Sequence, residues 1–72
     1  MKKNEELVSL LERIADVSQR LGNKIVDVDL MDLSDRAKFM AKCFSVGINT
    51  ETTLMLMYGK GLLSKEQLEQ LL

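Results

Sequence analysis

The sequence contains no histidine, no proline and no tryptophan, and its only cysteine is Cys43. A disulfide within the chain is therefore excluded, and one thiol without histidine cannot build a structural zinc site. No group of acidic residues replaces the missing histidine in a recognisable catalytic pattern. We therefore expect a protein that is not an enzyme and that holds no cofactor or metal ion. The absence of proline favours uninterrupted helices.

The chain also has little net charge and no long apolar run. Its net charge of -1 gives no positive field that would attract nucleic acid or anionic lipid. No apolar run approaches the length of a membrane span, and the first ten residues lack the apolar core of a signal peptide. We expect a location in the cytoplasm or in an assembly formed there, without membrane, nucleic-acid or small-molecule partners.

A chain of 72 residues is one small domain, predicted here over residues 1–72. Its hydrophobic content of 46% is typical of a folded protein. A domain of this size buries only about 60% of its unfolded surface, so its core supplies little net stability. Because disulfides and metal are excluded, binding to a partner protein or to further copies of the chain is the remaining source of stability.

The first predicted helix runs from a cap at Asn4 to a stop at Gly22–Asn23. Its apolar residues repeat with spacings of three and four, which is a heptad pattern: Leu7, Leu10, Ile14, Val17 and Leu21. Leu11 widens this seam. The seam is shorter than a free coiled coil requires, so we expect the helix to pack on its own domain.

The period changes from Lys24 to Met31, where Val26, Val28 and Leu30 alternate with acidic residues. This alternation predicts an extended segment or a strand. A single strand has no mate within the chain, so it is either an irregular connector or a strand that pairs with another chain. The spacing of the nearby acids does not fit a calcium loop.

A second helix is predicted from Asp32 or Ser34 to a stop at Gly47, with apolar residues on two flanks. Cys43 lies on one flank and is expected to be a small buried side chain. Asn49 or Thr50 caps a third helix, whose residues 54–58 are apolar nearly all round. Such a helix is either central in the fold or covered by a partner.

The last helix carries strong local signals. After the turn at residues 59–61, Ser64 and Gln67 match a capping box, and Leu63 and Leu68 occupy the positions of a hydrophobic staple. Leu68, Leu71 and Leu72 are expected to face the core. The predicted fold is thus mainly α, a small bundle of three to four helices with one short extended or strand segment.

The order of segments resembles the C-terminal part of the portal proteins of tailed phages. There, a helix leads into a strand, a second helix, a short glycine- and threonine-containing segment and an acidic terminal helix. The corresponding stretches are KIVDVDL, DLSDRAKFM, VGINTETTL and LSKEQLEQL, with matching positions at Gly47, Ile48, Thr50, Glu51, Thr52 and Leu54. The resemblance implies ring assembly, a place in a virion and no catalytic residues. Because the rest of a portal is lacking, it implies a portal-like fragment or a derived small phage protein.

Two functions remain at this point. The first is a protein–protein interaction or assembly module, whose predicted contact residues are Val26, Val28, Leu30, Met55, Met57 and Tyr58. The alternative is a small helix-turn-helix DNA-binding regulator, with Gly47 in the turn and residues 50–58 as the recognition helix. That helix offers threonines, Glu51 and apolar residues where base and phosphate contacts require polar and basic side chains.

Overall fold

The computed structural model describes residues 2–72, and side chains from Glu5 onward. This part of the chain forms four helices and no strand: α1 (Lys2–Ile25), α2 (Val28–Ser45), α3 (Thr50–Gly59) and α4 (Lys65–Leu71). The predicted mainly α fold class is confirmed. The predicted strand or extended segment is absent from the described residues.

The α1 and α2 helices form an antiparallel hairpin, joined by Val26 and Asp27. Ser34, predicted as a helix start, lies inside α2, where its buried hydroxyl donates a 2.7 Å hydrogen bond to the Ala15 carbonyl of α1. A second bond joins the same two helices, where the Lys38 ammonium donates to the Gln19 side chain at 2.6 Å. These bonds fix the two helices side by side.

The alternating segment is helical because a local cap overrides the alternation. Val26 has a positive φ of 53° and reverses the chain. The Asp27 carboxylate then accepts a hydrogen bond from the Leu30 backbone N–H, and Asp29 lies in the first turn, where acids stabilise a helix. The second helix therefore begins at Val28, and not at Asp32 or Ser34 as predicted.

The predicted stop at Gly22–Asn23 is also wrong, since α1 continues to Ile25. Gly22 is buried, and a Cβ built on it would lie 3.2 Å from both the Leu30 Cβ and the Asp27 carbonyl oxygen. This glycine therefore permits close contact between α1 and the start of α2. Asn4 lies within α1. Its side chain, on which the predicted capping role depends, is outside the described residues.

The boundaries between α2, α3 and α4 agree with the sequence. Gly47, with a φ of +86°, follows the end of α2, and Asn49 caps α3 by accepting from the Thr52 N–H at 2.8 Å. The capping box of α4 is present in both directions between Ser64 and Gln67. Buried Cys43 is a core residue of α2, as predicted.

A small core joins the C-terminal half of the molecule to α2. Leu54, Met57 and Leu63 form its buried centre, against which Phe39, Met40, Leu62 and Leu68 pack. The Arg36 guanidinium adds a 3.0 Å hydrogen bond to the Leu62 carbonyl, and the Lys60 ammonium lies 5.4 Å from the centre of the Phe39 ring. Leu71 and Leu72 are exposed, which contradicts their predicted core role.

The molecule is flat, with extents of 34 × 31 × 17 Å. The backbone of α1 lies close to that of α2 and of no other helix in the described chain, while α3 and α4 extend to one side. The α2 helix thus carries α1 along one flank and the α3–α4 pair along another.

Candidate functional site

The predicted heptad seam of α1 lies on the surface. The α1 residues buried against α2 are the small ones, Ala15, Ser18 and Gly22. Four larger seam residues are 41–56% exposed: Leu7, Leu10, Val17 and Leu21. The α1 helix packs on its own domain, as predicted, but the seam lies beside the contact with α2 and is not buried by it. The small residues allow α2 to approach closely and leave the bulky seam beside the contact.

An apolar groove of about 580 Å³ lies next to the seam. Leu33, Ala37 and Met40 of α2 form its floor. One wall is made by Leu11 and Ile14 of α1. The other is made by α3, α4 and the loop between them, and includes Leu54, Met57, Leu63 and Leu71. Because Ile14 belongs to both the seam and the groove, the two features form one continuous apolar surface.

This arrangement leaves an unusually large surface exposed. The accessible surface of the chain is 5430 Å², whereas a compact monomer of 8.2 kDa exposes about 4500 Å². The excess of about 900 Å² is close to the roughly 800 Å² that each partner contributes to a standard protein–protein interface. The excess reflects the flat shape of the molecule, in which α1 packs on α2 and on no other described helix.

The residues predicted as contacts divide among three environments. Val26 and Val28 are exposed at the link between α1 and α2, where Leu30 is half-buried. Met55 and Tyr58 are exposed on α3. Met57 is only 1% exposed and belongs to the core, so it is not available to a partner in this structure.

Apart from Met57 in the groove wall, none of the predicted contact residues lies in the seam or the groove. Their apolar pattern was visible in the heptad spacing of α1. Which side of α1 faces α2 depends on the small residues Ala15, Ser18 and Gly22, which carry little hydrophobic signal of their own.

A second cavity, of about 590 Å³, lies on the other side of the hairpin and has a mixed lining. Glu12, Asp35, Lys38 and Lys42 place charges of both signs around an apolar centre that includes Phe39. No group of three or more potential metal ligands occurs in the part of the chain that the structure describes. Because these four charged side chains are exposed, they form a solvated rim around the cavity.

The outer face of α3 bears on the helix-turn-helix alternative. Its exposed side chains are Thr50, Glu51, Thr52, Met55, Leu56 and Tyr58. Lys60, which follows the helix, lies over the Phe39 ring. The outer surface of α3 thus offers an acid and apolar groups where DNA phosphates would require basic residues.

Comparisons of the chain with protein-family models, with curated proteins and with solved structures find no match. Across residues 2–72, no helix is both long enough and apolar enough to cross a membrane. The most prominent surface feature of the described chain is the continuous apolar surface formed by the seam and the groove.

Proposed function

We propose that this protein is a non-enzymatic interaction module that binds a helix of another protein chain along the α1 seam and the adjoining groove. The observation that carries the proposal is the exposure of Leu7, Leu10, Val17 and Leu21, large apolar residues repeating on one face of one helix. Apolar patches beyond a few hundred Å² are rare on soluble monomers and mark sites of interaction.

The energetics favour a covered surface. Burying a leucine or valine side chain contributes about 1.5–3 kcal/mol when it goes from exposed to buried, and roughly half of that for a side chain that is already half-covered. Four such residues together supply several kcal/mol toward binding, before the entropy lost on association is counted. The neighbouring groove adds Leu33 and Met40, which a partner helix would cover at the same time.

The resemblance to portal proteins suggests one setting, assembly within a phage particle formed in the cytoplasm. It is supported by the segment from Gly47 to Leu54, whose residues here serve as turn, cap and core groups. The KIVDVDL stretch, a strand in the resemblance, is divided between two helices in this structure. The phage setting remains a prediction, and the interaction function does not depend on it.

DNA binding is less well supported, because a recognition helix requires side chains that α3 does not present. The seam of α1 offers no alternative surface for phosphates, since its exposed centre is apolar. No observation favours the helix-turn-helix regulator over the interaction module.

Site-specific photocrosslinking tests the proposal. A photoreactive amino acid is placed at Leu10 in the seam, at Leu33 in the groove, or at Asn23, which is exposed on the opposite side of α1. Irradiation in the cells that make the protein should give a defined cross-linked protein from Leu10 and Leu33, identified by mass spectrometry, and none from Asn23. Equal yields at all three positions, or no product from any, would contradict the proposal.

A further inference from the structure

We infer that the partner of the α1 seam is a second copy of this chain, with the two α1 helices lying antiparallel across a two-fold axis. The inference rests on the proposed interaction function and names its partner. Three observations carry it: the spacing of the seam, the size of the uncovered surface and the order of charges beside the seam.

The spacing shows that the occupant is a helix. Residues at alternating intervals of three and four, as from Leu7 to Leu21, form the holes and knobs that another helix with the same spacing fills. This stretch is about 21 Å long at 1.5 Å per residue. A second α1 seam has the same length and the same spacing, so the surface is complementary to itself.

The uncovered surface has the size that a two-fold interface requires. A two-fold dimer uses the same patch on both subunits, so each copy must supply about 800 Å² for an interface of standard size. The whole chain exposes about 900 Å² more than a compact monomer of its mass, which leaves room for a patch of this size along the seam and the adjoining groove wall. The seam alone is shorter than a free coiled coil, and its continuity with the groove through Ile14 provides the additional area.

The charges beside the seam select the antiparallel orientation. One flank of the seam faces α2, and the other carries Glu6 near the start of α1 and Arg13 and Arg20 farther along. An antiparallel copy brings Glu6 toward Arg20 of the partner subunit, and symmetry repeats the pair. In a parallel copy the two-fold axis runs along the helices and places this charged flank beside the flank that faces α2, so Glu6 and Arg20 would meet no opposite charge. Arg13 falls near the axis, where exposure to solvent screens its repulsion from its own counterpart.

Charge reversal tests the orientation. Glu6→Arg and Arg20→Glu should each weaken self-association about tenfold, because each turns two attractive pairs into repulsive ones. An equimolar mixture of the two variants should regain the association of the parent, since every pair across the mixed dimer is again attractive. Sedimentation across a concentration series measures both. Asp16→Asn is the matched control, because it removes the Asp16–Arg20 ion pair within α1 and leaves the charges at Glu6 and Arg20 in place.

A second pair of variants tests the seam. Val17→Asp places a charge in the proposed contact and should abolish association, since that charge would have to be desolvated. Val46→Asp alters an exposed valine just after α2, outside the seam and the predicted contacts, and should associate as the parent does. Circular dichroism confirms that both variants remain folded, which is expected because both side chains are more than half exposed.

The outcomes separate this inference from the proposed function. A parent that stays monomeric into the high-micromolar range overturns the inference, and so does a mixture that associates no better than its components. If photocrosslinking from Leu10 then identifies a different protein, the interaction function stands and only the identity of the partner changes. If Leu10 gives no cross-link and the parent stays monomeric, both the dimer and the interaction function are contradicted.

Discussion

Val26 is a β-branched residue in the left-handed region of backbone conformation, with a φ of 53°. This conformation crowds the Cβ atom against the following carbonyl and costs about 1–2 kcal/mol for an ordinary residue. The side chain is 78% exposed and so gains almost nothing from packing within the chain. The hairpin therefore contains a local strain that the folded monomer does not offset at the same position.

Val26→Asn should raise the free energy of unfolding by about 1 kcal/mol, because asparagine adopts the left-handed region more readily than valine does. For a domain of this size the melting temperature should rise by about 4–8 °C. Val28→Asn is the control, since Val28 is similarly exposed but lies in a regular helix. Chemical denaturation at a concentration where the chain is monomeric measures both, and equal midpoints for the two variants would exclude strain at Val26.

The contact between α1 and α2 depends on small side chains, and Gly22 is the clearest case. Gly22→Ala should lower the free energy of unfolding by about 1 kcal/mol, because the added methyl group would crowd the Asp27 carbonyl and the Leu30 Cβ. The cost of this crowding exceeds the gain in helix propensity from glycine to alanine. Gly59→Ala is the matched control. It lies in the last turn of α3 with open space around its Cβ position, so the same change should be neutral or stabilising there. Thermal melting of the two variants gives the comparison, and a stabilised Gly22→Ala protein would show that the helices separate easily.

Local chemistry explains which elements could be predicted from the sequence. The caps at Asn49 and Ser64 are visible because the residues that form them lie within three positions of one another. The end of α1 was predicted too early, at Gly22–Asn23, because a glycine can either end a helix or permit a close helix contact. Gly22 serves the second role. The alternation of Val26, Val28 and Leu30 predicted an extended segment, but the Asp27 carboxylate accepts from the Leu30 N–H and starts a helix there.

The candidate site was harder to predict than the helices. Apolar residues of α1 cover about half of its circumference, from Val17 through Ile14 to Ala15, so periodicity alone does not show which part meets α2. That choice is made by tertiary packing, which favours the side with Ala15, Ser18 and Gly22. The exposed seam follows from this choice and is seen only in the folded chain.

At the scale of the whole molecule, the two halves of the chain differ in how firmly they are held. The α1–α2 hairpin has by far the most extensive contact between helices, whereas α3 and α4 are attached through a small core around Met57 and the Arg36–Leu62 hydrogen bond. We expect the α3–α4 pair to open without unfolding of the hairpin. Such openings are governed by the number of buried contacts that a segment makes.

Hydrogen exchange of the monomer should therefore show two levels of protection. Amides in the centre of α2 should exchange at least tenfold more slowly than those of α3 and α4. This ratio corresponds to a difference of about 1.4 kcal/mol between the free energies of the two opening reactions. Arg36→Gln, which loses the charge-assisted hydrogen bond to the Leu62 carbonyl, should speed exchange in α3 and α4 and leave the hairpin amides unchanged. A single protection level throughout, with all amides responding to Arg36→Gln, would show that the chain opens as one unit.

The two-residue link between α1 and α2 has a consequence for the order in which the chain folds. Helices that are neighbours in sequence and pack side by side form contacts of short sequence separation, which fold quickly. Domains also acquire structure from the N-terminal side as the chain is made. The hairpin can thus form before α3 and α4 pack on α2. The seam of α1 is therefore present as soon as the hairpin has formed, whether or not α3 and α4 have packed on α2.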